Sequence, residues 1–159
     1  MLKNLIKFTG LVGGATLLAG PAMAEVSSET AYVFNTFLFL VCGFLVMFMA
    51  AGFAMLESGM VRSKNAATIC LKNISLFSIA GLMYWLVGYN LMYGVEEGGY
   101  VGAFFDIWSA DDSAIAAEEA DFSGGYASGS DWYFQMVFCA TTASIVSGTV
   151  AERMKLWPF

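Results

Sequence analysis

Residues 131–158, DWYFQMVFCATTASIVSGTVAERMKLWP, carry no charged side chain between Asp131 and Glu152 and are bracketed by aromatic residues. A helix crossing a hydrocarbon core needs about 20 such residues, so this stretch predicts a membrane span over 132–151. Inside it the residues are mixed. Phe134 and Phe138, four apart, share one helical face, while most of the rest is small or hydroxylated. A helix of that kind is suited to pack closely on one side and to line something on another.

Two further apolar blocks, 32–55 and 74–93, predict two more spans. The first is rich in Phe, Met and Leu, with Gly43 and Gly52 inside it and Asn35 as its one strong polar group. In the second, Tyr84, Trp85, Tyr89 and Tyr93 crowd one half, as an interfacial aromatic belt would, and Lys72 precedes it where it can snorkel. With 58% hydrophobic and 13% charged residues gathered in this way, the chain falls in the membrane class. An all-α membrane protein is the expected fold class.

The charges assign an orientation. Arg62 and Lys64 lie in the short connection after the first block, and Arg153 and Lys155 follow the third. Basic residues in short connections mark the cytoplasmic side, which puts the N-terminus of the first span outside. Between them, the region 95–131 holds nine of the thirteen acidic residues and no basic one, as expected of a long, partly flexible outside loop. Its carboxylate spacing fits no calcium-binding loop. The net charge of −6 therefore describes that loop and carries no signal for nucleic acid.

Residues 1–24 open with Lys3 and Lys7, continue through a short apolar run and close on Ala22-Met23-Ala24, the layout of a cleavable signal peptide. The chain from residue 25 to 159 then forms one membrane domain. Cys42, Cys70 and Cys139 are odd in number and widely spaced, and are expected to act as small buried hydrophobes. There is no histidine, Gly-rich phosphate loop or nucleophile–base pair, so neither an enzyme nor a cofactor site is expected. Glu57 is expected to sit at the interface as a partner of Arg62 or Lys64.

On the third block, Cys139, Ala143, Ser147 and Ala151 form one row at four-residue spacing, and Ala140, Ser144 and Gly148 form the next. Together they make a broad small-residue stripe for helix contact. Phe134, Phe138, Thr141, Thr142 and Ile145 lie on another side. On spacing alone, lipid contact and the lining of a pathway both remain open for the phenylalanines. Stacked rings at the mouth of a pathway would attract a small cation by about 1–2 kcal/mol when partly desolvated.

Four runs bear on that choice: GFAMLESGMVRSKN at 52–65, LKN at 71–73, YWLVGY at 84–89 and IVSGTVAER at 145–153. In order and spacing they resemble the N-terminal three helices of the ammonium transporter (Amt/Mep/Rh) family. The resemblance implies a homotrimer in the inner cell membrane, each subunit an eleven-helix fold around a narrow apolar pore for ammonium or ammonia. It also implies a cytoplasmic PII-type regulator as a partner. Carried over, Phe138 takes the place of the outer gate ring, Phe134 that of its companion one turn away, and Leu56 and Ile145 those of inner apolar pore residues. The family's pore histidines come from later helices, so the expectation is an N-terminal portion of a longer transporter. The alternatives are a transporter-like ammonium sensor joined to a signalling domain and a small three-span structural subunit.

Overall fold

The computed structural model describes residues 26–95, 98–102, 104 and 106–159; the expected signal peptide, 1–24, lies outside them. Among the described residues the chain is helix and loop, with no strand. The first helix, α1, runs from Ser28 to Met60. Its N-cap is Ser27, whose Oγ accepts the Thr30 N–H at 3.3 Å and satisfies one of the free amides of the first turn. Thirty-three residues at about 1.5 Å each give a rod of about 50 Å, longer than a bilayer core is thick.

The chain reverses through Val61 and Arg62, both extended, and a 3₁₀ turn at Ser63–Asn65. Helix α2 then spans Ala66–Met83, passes through a π-turn at Tyr84–Gly88, and continues as the short α3, Tyr89–Tyr93. The stretches Ser28–Met60 and Ser63–Tyr93 are both long and apolar enough to cross a membrane. The last helix, α4, covers Ser128–Thr149, longer than an 18-residue span but less apolar than the other two.

The connection expected over 56–65 is shorter than the sequence suggested. Residues 56–60 stay helical because Glu57 turns inward and finds partners between the helices, which removes the reason for the chain to leave the bundle there. For the same reason Lys72 lies inside α2 and buried, so the expected snorkelling residue is corrected to an interior one.

Helix α4 packs against both α1 and α2. Val137, Ala140, Thr141, Ser144 and Ser147 are buried on one face, so the contact takes part of each expected row, leaves Gly148 and Cys139 exposed, and corrects Thr141 from the phenylalanine side to the packing face. Its hydroxyls do not disrupt this: Thr141 donates to the Val137 carbonyl at 2.8 Å, and Ser144 to that of Ala140 at 3.2 Å. Each hydroxyl thus uses an acceptor one turn back and brings no unmet polar group to the interface. The cysteines depart from expectation. Cys42 is half-buried and Cys70 and Cys139 are exposed, because the buried faces of α2 and α4 turn elsewhere.

The acidic region is draped over one end of the bundle. Trp108 donates its backbone N–H to the Trp85 carbonyl and stacks on Trp132, centroids 5.0 Å apart. Asn35 donates to the Gly125 carbonyl at 3.0 Å, and the Ala127 amide to Thr36 Oγ1 at 3.0 Å. Asp112 accepts the Ser128 amide at 2.9 Å, a cap on α4 delivered from the loop. Tyr84, buried, and Tyr89, half-buried, turn inward to meet Trp132 and Trp108, so at these two positions the expected interfacial belt is an aromatic cluster within the bundle end.

Helix α4 comes close against α1 at Gly43, where an added Cβ would lie 2.7 Å from the Tyr133 ring. Gly43→Val is expected to destabilise the protein by about 1–3 kcal/mol through overpacking. A thermal unfolding midpoint in detergent that matches wild type would show that the ring is not held there.

Candidate functional site

The flank of α4 beside its packing side carries the candidate pathway residues. Phe134 and Phe138 meet edge to face, centroids 5.0 Å apart at 79°. Phe134 also leans on Phe39 of α1, at 5.4 Å, and Phe39 on Tyr126 from the loop, at 4.8 Å. Four rings from three segments therefore make one cluster towards the loop end of the bundle. Phe138 is 42% exposed and presents its free surface away from the packed helices.

Ile145 follows Phe138 by two turns, about 10 Å further along the helix. It is 54% exposed, and Leu56 of α1 is 56% exposed. Both line a groove of about 410 Å³ at the turn end, together with Phe53, Glu57 and Gly148. The structure thus brings Phe134 to Phe138 and Leu56 to Ile145, as two groups spaced along α4.

Beside the groove lies a polar cluster centred on Glu57, which the sequence pattern places at the membrane interface. Glu57 is only 3% exposed and pairs with neither Arg62 nor Lys64. Its Oε2 accepts from Ser147 Oγ at 2.9 Å and from Asn73 Nδ2 at 3.1 Å, with Lys72 Nζ at 3.4 Å. Lys72 Nζ also donates to the Ser147 carbonyl at 2.9 Å and lies 5.1 Å from the centre of the Phe159 ring. One carboxylate oxygen thereby joins α1, α2 and α4. The signal that finds this cluster is the presence of Glu57, Lys72 and Asn73 within otherwise apolar helices, where ionisable groups face the interior and pair with one another.

Arg62 is taken by a second carboxylate. Glu152 stands just past α4 in the left-handed region, φ 59°, an uncommon backbone for a residue with a side chain. Its Oε1 accepts the Arg62 backbone N–H at 2.9 Å, Asn65 Nδ2 at 2.6 Å and Arg62 Nε at 3.2 Å. These donors, the Arg62 backbone N–H first, hold the Glu152 carboxyl below the usual carboxylate range. The clasp ties the end of α4 to the turn between α1 and α2.

A group with a lowered folded-state pKa contributes stability that is present above its unfolded value and is lost as pH falls through the folded one. Acidification from neutral pH to below the ordinary carboxylate range should therefore loosen this turn. Hydrogen exchange at the Arg62 amide, corrected for intrinsic rates, is expected to rise on acidification in the wild type and to be already fast at neutral pH in Glu152→Gln. A wild-type amide equally protected throughout would remove the clasp as its cause.

With this geometry in view, comparison with known proteins is informative. A family model described as the Ammonium Transporter Family matches residues 37–159. The chain is 39% identical over 142 residues to ammonium transporter Amt2 of Archaeoglobus fulgidus, covering 89% of the chain and 28% of that protein. It is 40% identical over 115 residues to ammonium transporter Amt1 of Haloferax mediterranei, covering 72% of the chain and 20% of that protein. With ammonium transporter Amt2 of Methanocaldococcus jannaschii the identity is 35% over 134 residues, covering 84% of the chain and 30% of the relative. The chain thus spans less than a third of the length of these relatives.

Proposed function

This chain belongs to the ammonium transporter family, and on that premise we propose that it supplies one wall of an apolar pore carrying ammonium or ammonia across the inner cell membrane. The observation that carries the reading is the exposed face of α4. Its aromatic pair at the loop end and Ile145 at the turn end lie on one side of the helix, and Leu56 of α1 lines the same groove as Ile145. The neighbouring face is committed to packing by small residues.

The chemistry of the line suits its order. Aromatic ring faces at the loop end attract a small cation by about 1–2 kcal/mol when partly desolvated. The aliphatic surface further along cannot replace a hydration shell, and carrying an isolated ion through it costs on the order of tens of kcal/mol by Born solvation. Neutral ammonia avoids most of that cost. A step that removes a proton also rejects potassium, which has none to give. In this reading Phe138 gates the mouth, Phe134 supports it, and Leu56 and Ile145 line the inner part.

The basic connections, Arg62 and Lys64 on one side and Arg153 and Lys155 on the other, orient the turn end towards the cytoplasm. Helix α4 is then the third span, made tolerable in lipid by its internally bonded hydroxyls. A homotrimer and a cytoplasmic PII-type regulator complete the proposal for the whole transporter.

Phe138→Ala is expected to lower ammonium uptake at limiting concentration by about fivefold, the loss of one partly desolvated ring face, without preventing oligomer assembly. Uptake in cells or proteoliposomes and size-exclusion of the purified protein check the two halves. Wild-type uptake of both ammonium and methylammonium by the variant would sink the gate role.

A further inference from the structure

Glu57 has two carboxylate oxygens in unequal circumstances. Oε2 takes the contacts from Asn73, Ser147 and Lys72, whereas Oε1 is as deeply buried and has no partner. Asn73 Oδ1, on the same amide that donates to Glu57, is likewise buried without a donor. One cluster therefore contains two acceptors in want of N–H or O–H groups. A buried carboxylate oxygen left unmet forfeits its hydration without replacement, so such atoms call for a donor that arrives from elsewhere.

The direction of arrival is set by Gly148. An ideal Cβ built there would stand 3.7 Å from Glu57 Oε1, 3.8 Å from Cγ and 4.0 Å from Cδ. Nothing but the missing methyl separates α4 from the carboxylate at this point. Gly148 and Glu57 line the same groove as Leu56 and Ile145. The terminal torsion of a glutamate is soft, so a small rotation swings Oε1 into that gap.

We infer that Glu57 is a further cargo-contacting residue, its Oε1 accepting a hydrogen bond from the ammonium or ammonia nitrogen at the turn end of the groove. The inference rests on the transport reading above. Ammonium offers several N–H donors, and one of them can meet the unpartnered Oε1 that faces this groove. Lys72 already balances the charge of Glu57, so the site presents an acceptor without a full negative field. A contact of that kind holds a passing molecule weakly enough to release it, as conduction requires.

The test uses the protein expressed from its complete gene in proteoliposomes, with ammonium and methylammonium uptake measured side by side. Glu57→Gln keeps the size of the side chain and one acceptor but replaces the other by an N–H donor; ammonium uptake is expected to fall about tenfold. Gly148→Ala leaves the ion pair untouched and places a methyl group, at ordinary contact distance, over Oε1. It is expected to impede the bulkier methylammonium more than ammonium, moving their uptake ratio by about threefold or more.

Two folded variants with wild-type rates and ratio would overturn the inference and leave the transport reading standing. An equal fractional loss for both substrates in both variants would mark a purely structural role and overturn it too. If Glu57→Gln does not fold, the substrate ratio of Gly148→Ala decides alone. Absence of uptake by the wild type would remove the transport reading, and this inference with it.

Discussion

The arrangement of the three long helices depends on one buried ion pair. Lys72 and Glu57 sit within a few per cent of full burial, where an unpaired charge would cost several kcal/mol. Neither can leave without stranding the other, and removing one partner of such a pair typically costs about 3–5 kcal/mol. Their mutual attraction does not itself explain the fold, since a well-packed apolar pair would serve stability equally well. What the pair adds is register. Lys72 reaches the Ser147 carbonyl while Ser147 Oγ reaches Glu57, so sliding any helix by one turn breaks bonds to both others.

That register dictates which side of α4 is left over. The node lies on the face that contains Ala140, Ser144 and Ser147, and small side chains there let the helices approach closely enough for the polar groups to meet. At about 100° per residue, Phe134, Phe138 and Ile145 then fall on the neighbouring flank, where Phe134 still meets Phe39 of α1 and Ile145 lines the groove beside Glu57. The aromatic and aliphatic line is thus a geometric consequence of the polar node, and neither feature can be shifted without moving the other.

Much of this was legible in the sequence, and the exceptions have a common cause. Three uncharged blocks foretold three helices, and the rows of small residues foretold the packing face of α4. Glu57 and Lys72 were misread because each lies near the edge of an apolar block, where a charge normally reaches water or headgroups. Local pattern cannot tell that Ser147, ninety positions from Glu57, waits as a partner. The acidic region is the irregular, mostly exposed loop that its composition suggests, but composition does not show how it is held. Its fastening comes from a few long-range contacts, Trp108 on Trp132 and Asp112 on the first turn of α4, that have no periodicity to reveal them. The pathway residues stood on the boundary of what pattern can decide, since their spacing suits lipid as well as a pore wall. The family likeness, and the groove that Leu56 and Ile145 share, turn that ambiguity into a testable assignment.

Two carboxylates hold the turn end, and their surroundings give them different work. Glu57 is sealed among helices, where salt cannot screen it, and sets how α1, α2 and α4 lie together. Glu152 lies at the periphery, bonded to Arg62 and Asn65, and holds the end of α4 to the turn between the other two. Its left-handed backbone is a strain of about 1–3 kcal/mol that persists only where neighbouring contacts over-determine it, and three donors to one oxygen supply that condition. The groove between Leu56 and Ile145 lies between these two anchors. Its width is therefore governed from the core side by a buried bond network, and from the rim by one that salt and acid can weaken.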